Sequence, residues 1–136
     1  MTDIITTNER SRIMSLVKNK NTQPELLVRR LIHNAGFRYR LHDKKLPGTP
    51  DIVFSKKRKV IFVHGCFWHR HEQCSLARLP KSNQEFWLKK LENNRVRDKL
   101  NLQKLNETGW EALVLWECEL RDIESLKRRL KEFLTP

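Results

Sequence analysis

Residues 60–74 read Val60-Ile61-Phe62-Val63-His64-Gly65-Cys66-Phe67-Trp68-His69-Arg70-His71-Glu72-Gln73-Cys74, and the stretch changes character at its middle. Val60 to Val63 is apolar throughout, without the alternation of a strand that has one wet face, so it predicts a central strand covered on both sides. His64 stands at its end. Residues 64–74 then hold three of the five histidines and two of the three cysteines of the chain, around an exposed-looking Phe67-Trp68 pair. So dense a group of titratable, ligating and aromatic side chains marks a site rather than more core.

Working outward, Lys56-Lys57-Arg58 makes a basic turn before this strand, and Asp51 to Phe54 reads as a second strand entered from the rigid turn Leu46-Pro47-Gly48-Thr49-Pro50. Phe37 to Leu41 alternates as another strand. Thr22-Gln23-Pro24-Glu25 is a capping box with proline in the first turn, and Leu26, Leu27, Leu31 and Ile32 give the helix behind it an apolar face that Gly36 ends. On the other side, Asn83 to Thr108 predicts a long helix anchored by Phe86, Trp87, Leu91, Leu102 and Leu105 and stopped by Gly109. Trp110 to Trp116 is a fourth strand, and Asp122 to Leu134 an amphipathic terminal helix. The order helix, three strands, helix, strand, helix predicts an α/β fold with a mixed four-stranded sheet flanked by helices.

The chain has 136 residues, which suits one domain with a genuine core, and residues 1–21 read as a polar, basic arm. Its formal net charge is +12, an excess that implies a polyanionic partner, since each phosphate neutralised releases counterions. No signal peptide is apparent, and no apolar run approaches the roughly 20 residues of a membrane span. A cytoplasmic protein with reduced cysteines follows as the expectation, and an odd cysteine count favours metal ligation over disulfides.

Cys66-x4-His71-x2-Cys74 supplies three zinc-type ligands, and Cys118 could close a Cys3His tetrahedron with no open position for catalysis. By spacing alone His69 serves as well as His71. Asp51 at a strand end suits magnesium, which takes one or two protein oxygens and leaves the rest to water and phosphate; the plainer reading is a turn cap. His64 and whichever of His69 and His71 is left over are candidates for proton transfer. Phe67 and Trp68 are either a plug in a small core or a wedge that stacks on bases. Lys90, Asn94 and Asp98 recur at four-residue spacing and share one helix face, either solvated or able to read bases and orient an imidazole.

Pro47-Gly48-x-Pro50-Asp51, Phe62-x-His64-Gly65-Cys66-Phe67-Trp68-His69-x-His71, Glu85-Phe86-Trp87-Leu88 and Trp116-Glu117-Cys118 together resemble, in order and over nearly the whole chain, the very-short-patch-repair (Vsr) mismatch endonucleases. The resemblance implies a restriction-endonuclease-like core and an enzyme that nicks one DNA strand beside a T:G mismatch left by deamination of 5-methylcytosine. It implies magnesium on Asp51 and the backbone carbonyl of Val63, with His69 activating water and Glu25 assisting. His64 would act on the phosphate or leaving oxygen, partnered by Asp98, and structural zinc would sit on Cys66, His71, Cys74 and Cys118. Phe67 and Trp68 would wedge at the mismatch from the major-groove side and Met14 from the other, with Lys90 and Asn94 on the mismatched bases. A monomer acting on mismatched double-stranded DNA in the nucleoid follows, with mismatch-repair proteins as possible partners. Two alternatives are a site-specific restriction-type endonuclease, usually dimeric, and a noncatalytic zinc-stabilised mismatch-binding module, which would need neither Asp51 nor the spare histidines.

Overall fold

The computed structural model of the chain describes residues 22–69, 71, 72, 74 and 78–135. The basic arm, with Met14, lies outside the described residues. Three α-helices and a four-stranded sheet follow in the order α1 (Gln23–Asn34), β1 (Arg40–Leu41), β2 (Ile52–Phe54), β3 (Lys59–His64), α2 (Gln84–Glu107), β4 (Glu111–Trp116) and α3 (Ile123–Leu134), with a short 3-10 turn, Glu117–Arg121, between β4 and α3. The sheet order is β1-β2-β3-β4. β2 runs antiparallel to both β1 and β3, whereas β4 lies parallel to β3 after the α2 crossover. The mixed sheet is the one expected.

β3 is central, as its unbroken apolar run requires. Val60, Ile61 and Phe62 are all buried, and successive side chains enter opposite layers. Ile61 joins Ile52, Phe54 and Leu115 against Val28 and Ile32 of α1 and Leu126, Leu130 and Leu134 of α3. Val60 and Phe62 join Val53 and Leu105 on the α2 side. Helices therefore cover both faces, and that is why the strand carries no polar alternation.

Local chemistry sets the boundaries. The Thr22 hydroxyl accepts from the Glu25 N–H at 3.3 Å, one half of the capping box. The Glu25 carboxylate itself is buried against His42 and Arg29. The Asp122 carboxylate accepts from the Ser125 N–H at 3.1 Å and caps α3. Gly48, at φ 78°, takes a left-handed turn that packs against α2, where a Cβ would come within 3.1 Å of Asn101 Cβ and 3.2 Å of the Phe62 ring.

Three sequence expectations are corrected here. The strand expected over Phe37 to Leu41 pairs only at Arg40–Leu41. Asp51 lies just outside β2 rather than opening it. Phe86, expected as a core anchor, is 59% exposed, because Trp87 and Leu91 occupy the inward face of α2. Among the described residues, no helix is long and apolar enough to cross a membrane.

Candidate active site and metal centre

The C-terminal end of β3 is where the chemistry collects. The Asp51 carboxylate accepts a hydrogen bond from the Val63 N–H at 2.7 Å, so the turn before β2 and the end of β3 meet as expected. Burial pushes the Asp51 acid group up to about 7, against the lowering effect of the Val63 N–H; the Glu25 charge raises it further. A carboxylate held from water beside a second one favours either a proton or a cation. Asp51, Glu25 and His42 each offer one donor atom within 4.8 Å of the others. His42 escaped the sequence reading. The signal available was the strand pairing: Leu41 sits opposite Ile52, so a hairpin register drawn from the two expected strands sets residue 42 against Asp51.

One residue past Val63, His64 is buried at 5% exposure, and its ring stacks on that of His69, with centroids 3.8 Å apart and planes 6° from parallel. Burial first, and the His69 charge second, push the His64 imidazole down to about 3, so it is neutral near pH 7. Its Nδ1 is buried without a hydrogen-bond partner among the described residues. His69 Nδ1 and the Asp98 carboxylate are 2.6 Å apart, the geometry of an N–H donating to a carboxylate oxygen. Asp98 thus hydrogen-bonds His69, whereas the resemblance assigned it to His64, although His64, His69 and Asp98 each offer a ligand atom within 4.8 Å of the others. A pocket of about 420 Å³ opens onto His64, His69 and Asp98, with Arg95 and Lys99 on its wall.

His71 goes the other way. Its Nδ1 lies 3.4 Å from Cys118 Sγ, and its ring stacks on Trp116 with centroids 4.1 Å apart. Cys66, His71, Cys74 and Cys118 bring one ligand atom each within 4.8 Å of the others, close enough to hold a metal ion. The structure brings His71, and not His69, to the three cysteines. The His71 N–H bonds to the Cys66 carbonyl at 2.9 Å and the His69 N–H to the Gly65 carbonyl at 3.2 Å, so tight turns send the two rings to different neighbours. Burial raises the Cys66 thiol to about 12 and raises Cys118 as well. A cation bound there would offset that burial and favour the thiolate form as ligand.

Phe67 and Trp68 are half-buried, neither a sealed plug nor a bare pair. Both rings lean edge-on against Trp87, at 5.7 and 6.1 Å. Lys90 Nζ stands 5.8 Å over the Trp68 ring, and the Asn94 amide donates to the Trp68 carbonyl at 3.2 Å. Phe67, Trp68, Lys90 and Asn94 accordingly form one patch, with the exposed Phe86 beside it.

A family profile described as DNA mismatch endonuclease Vsr matches residues 2–76. The chain is 49% identical over 136 residues to the type II nicking enzyme V.XorIIP of Xanthomonas oryzae pv. oryzae, covering 100% of this chain and 99% of that one. It is 39% identical over 139 residues to the DNA mismatch endonuclease Vsr of Escherichia coli, covering 98% and 88%. This protein belongs to the Vsr family. Similarity to the type II nicking enzyme V.NmeAIP of Neisseria meningitidis, 46% over 134 residues covering 98% and 95%, spans the same elements. As a Vsr endonuclease the chain is an endodeoxyribonuclease. The residues gathered at the end of β3 fall within the Vsr match or, like Asp98 and Cys118, fold back onto it from α2 and the turn after β4.

Proposed function

We propose that this endonuclease nicks one strand of duplex DNA beside a T:G mismatch, with magnesium held at Asp51 and zinc at the Cys3His cluster. The observation that carries the reading is the bond between Asp51 and the Val63 N–H at 2.7 Å, beside the stacked His64 and His69. It joins an ion-binding carboxylate to two imidazoles at one strand end. A strand residue directs its N–H and C=O to the same edge, so the Val63 carbonyl is available on the Asp51 side as a second oxygen ligand. The donor set of carboxylates and a carbonyl suits a hard ion, and three thiols with one imidazole suit zinc. Bound magnesium supplies charge neutralisation at the phosphate and a more acidic water.

His69, its Nδ1 tied to Asp98, keeps Nε2 to take a proton from the attacking water, and the carboxylate stabilises the imidazolium that results. Glu25, 1% exposed, assists from the first turn of α1. His64, neutral, donates a single hydrogen bond to the phosphate or leaving oxygen. Arg95 and Lys99, on the same pocket, attract the DNA backbone, in keeping with the net charge of +12. Cys66, His71, Cys74 and Cys118 would hold the zinc, joining the loop after β3 to the turn after β4 and so helping to fix where His69 and Trp68 lie.

Phe67 and Trp68 wedge into the duplex, with Lys90 and Asn94 behind them on the mismatched bases and Met14 of the arm on the opposite side. A mismatch lowers the cost of unstacking, which makes the wedge selective. Single-strand nicking agrees with a monomeric enzyme, which has one active site to present. The test is cleavage of one duplex carrying each mismatch in turn, with and without magnesium, resolved by strand. Nicking of one strand, fastest at T:G and dependent on magnesium, is the expected result; equal cleavage of matched DNA, or breaks in both strands, overturns the proposal.

A further inference from the structure

His42 lies across the first strand pair from Asp51, and its N–H donates to the Asp51 carbonyl at 3.2 Å. Its ring turns inward to Glu25, with Nε2 2.9 Å from Oε2. Glu25 is 1% exposed, Arg29 approaches it at 3.5 Å, and Asp51 completes a trio whose donor atoms lie within 4.8 Å of one another. Two carboxylates this close, and this far from water, repel each other unless a proton or a cation comes between them. The trio is not simply acidic, and the nitrogen matters. Carboxylates and waters alone suit magnesium, whereas an imidazole nitrogen in the set extends acceptance to first-row transition ions.

Distance supports direct ligation. An octahedral ion with ligands at about 2.1 Å holds adjacent ligand atoms roughly 3 Å apart. His42 Nε2 and Glu25 Oε2 already stand 2.9 Å from each other as a hydrogen-bonded pair, so when an ion displaces the Nε2 proton to solvent both can face it with little movement. His42 comes from the backbone of the strand pair rather than from a mobile tip, since its N–H is tied to the residue that supplies the carboxylate.

We propose that His42, with Glu25, is a further protein donor to the divalent ion held at Asp51, making a mixed nitrogen and oxygen site that binds manganese with direct imidazole ligation as well as magnesium. The proposal rests on the reading of Asp51 as the ion-holding carboxylate.

Manganese is the probe, added to the full chain with its cysteine site filled by zinc. Affinity is read from the free-ion signal in continuous-wave electron paramagnetic resonance, and the ligand from nitrogen coupling in the pulsed experiment. Wild type shows the coupling of a directly bound imidazole. His42→Gln, and His42→Asn should the glutamine variant fail to fold, bind manganese at least about tenfold more weakly and lose that coupling, with zinc content unchanged. A wild-type spectrum without nitrogen coupling, or coupling that persists in the folded variant, overturns the assignment and leaves His42 as a brace for Glu25. Asp51→Ala separates the two claims. Manganese bound by that variant as tightly as by wild type removes the Asp51 site on which the proposal stands. Loss of the ion there, together with coupling that survives in His42→Gln, overturns the role of His42 alone.

Discussion

Replacing Asp98 by Ala removes one hydrogen bond, to His69 Nδ1, and the structure sets the size of the effect. The contact is 2.6 Å long, and the two side chains are 30% and 24% exposed, so the pair is partly but not fully withdrawn from water. A hydrogen bond to a charged group contributes about 1.5 to 3 kcal/mol. If all of it acts on the imidazolium that forms as water is deprotonated, the nicking rate falls roughly 10- to 150-fold, at about 1.36 kcal/mol per tenfold. Residual solvent at the pair places the expectation in the lower half of that range. The assay is single-turnover nicking of a T:G duplex with saturating enzyme, so that binding does not mask the chemical step. Asp98→Ala should slow the step while leaving duplex affinity close to wild type. The double variant His69→Ala with Asp98→Ala should be no slower than His69→Ala alone, because an orienting group has nothing left to orient. In a His64→Ala background, by contrast, loss of Asp98 should cost its full factor. Additive losses with His69 and none beyond His64 would refute the reasoning and return Asp98 to His64.

Three further outcomes follow from the same geometry. Cys118→Ala should purify without its metal, where wild type carries about one zinc, and should lose stability on the order of several kcal/mol, since structural metal binding is coupled to folding; elemental analysis with chemical denaturation decides it. Trp68→Ala should weaken binding to mismatched duplex by roughly 1 to 3 kcal/mol, the worth of one base-aromatic stack, and leave the salt dependence of binding unchanged; a variant that binds matched and mismatched DNA as wild type does excludes the wedge. Asp51 has its acid group raised from 3.8 to about 7, so its contribution to stability is complete below pH 3.8 and is lost as pH rises through about 7. Ion-free wild type should therefore lose stability relative to Asp51→Asn between about pH 4 and 7, as read by thermal unfolding, and magnesium should restore it; parallel pH profiles for the two proteins contradict the shift.

Much of the architecture was legible because it is written locally. The unbroken apolar run Val60 to Val63 marked the central strand, and α2 and α3 begin and end within a residue or two of their caps and stops. β1 shrank to Arg40–Leu41 because strand length depends on a partner, and β2 offers only Ile52–Phe54. The ligating cluster was legible for another reason: chemistry restricts which residue types bind metal, and three of the four lie within nine positions, 66 to 74.

Residue identity alone therefore determined the strand and helix order, the basic partner-seeking surface and the pool of thiols, imidazoles and carboxylates. Tertiary structure decided the pairings within that pool. It sent His71 to the cysteines and His69 to Asp98, brought His42 beside Glu25, and rested Phe67 and Trp68 on Trp87, leaving Phe86 outside. The reason is range. A strand or a cap is chosen by neighbours within a few residues, whereas a hydrogen bond between residues 29 apart, such as His69 and Asp98, depends on the rotation of α2 over the sheet, which only the packing of whole faces fixes.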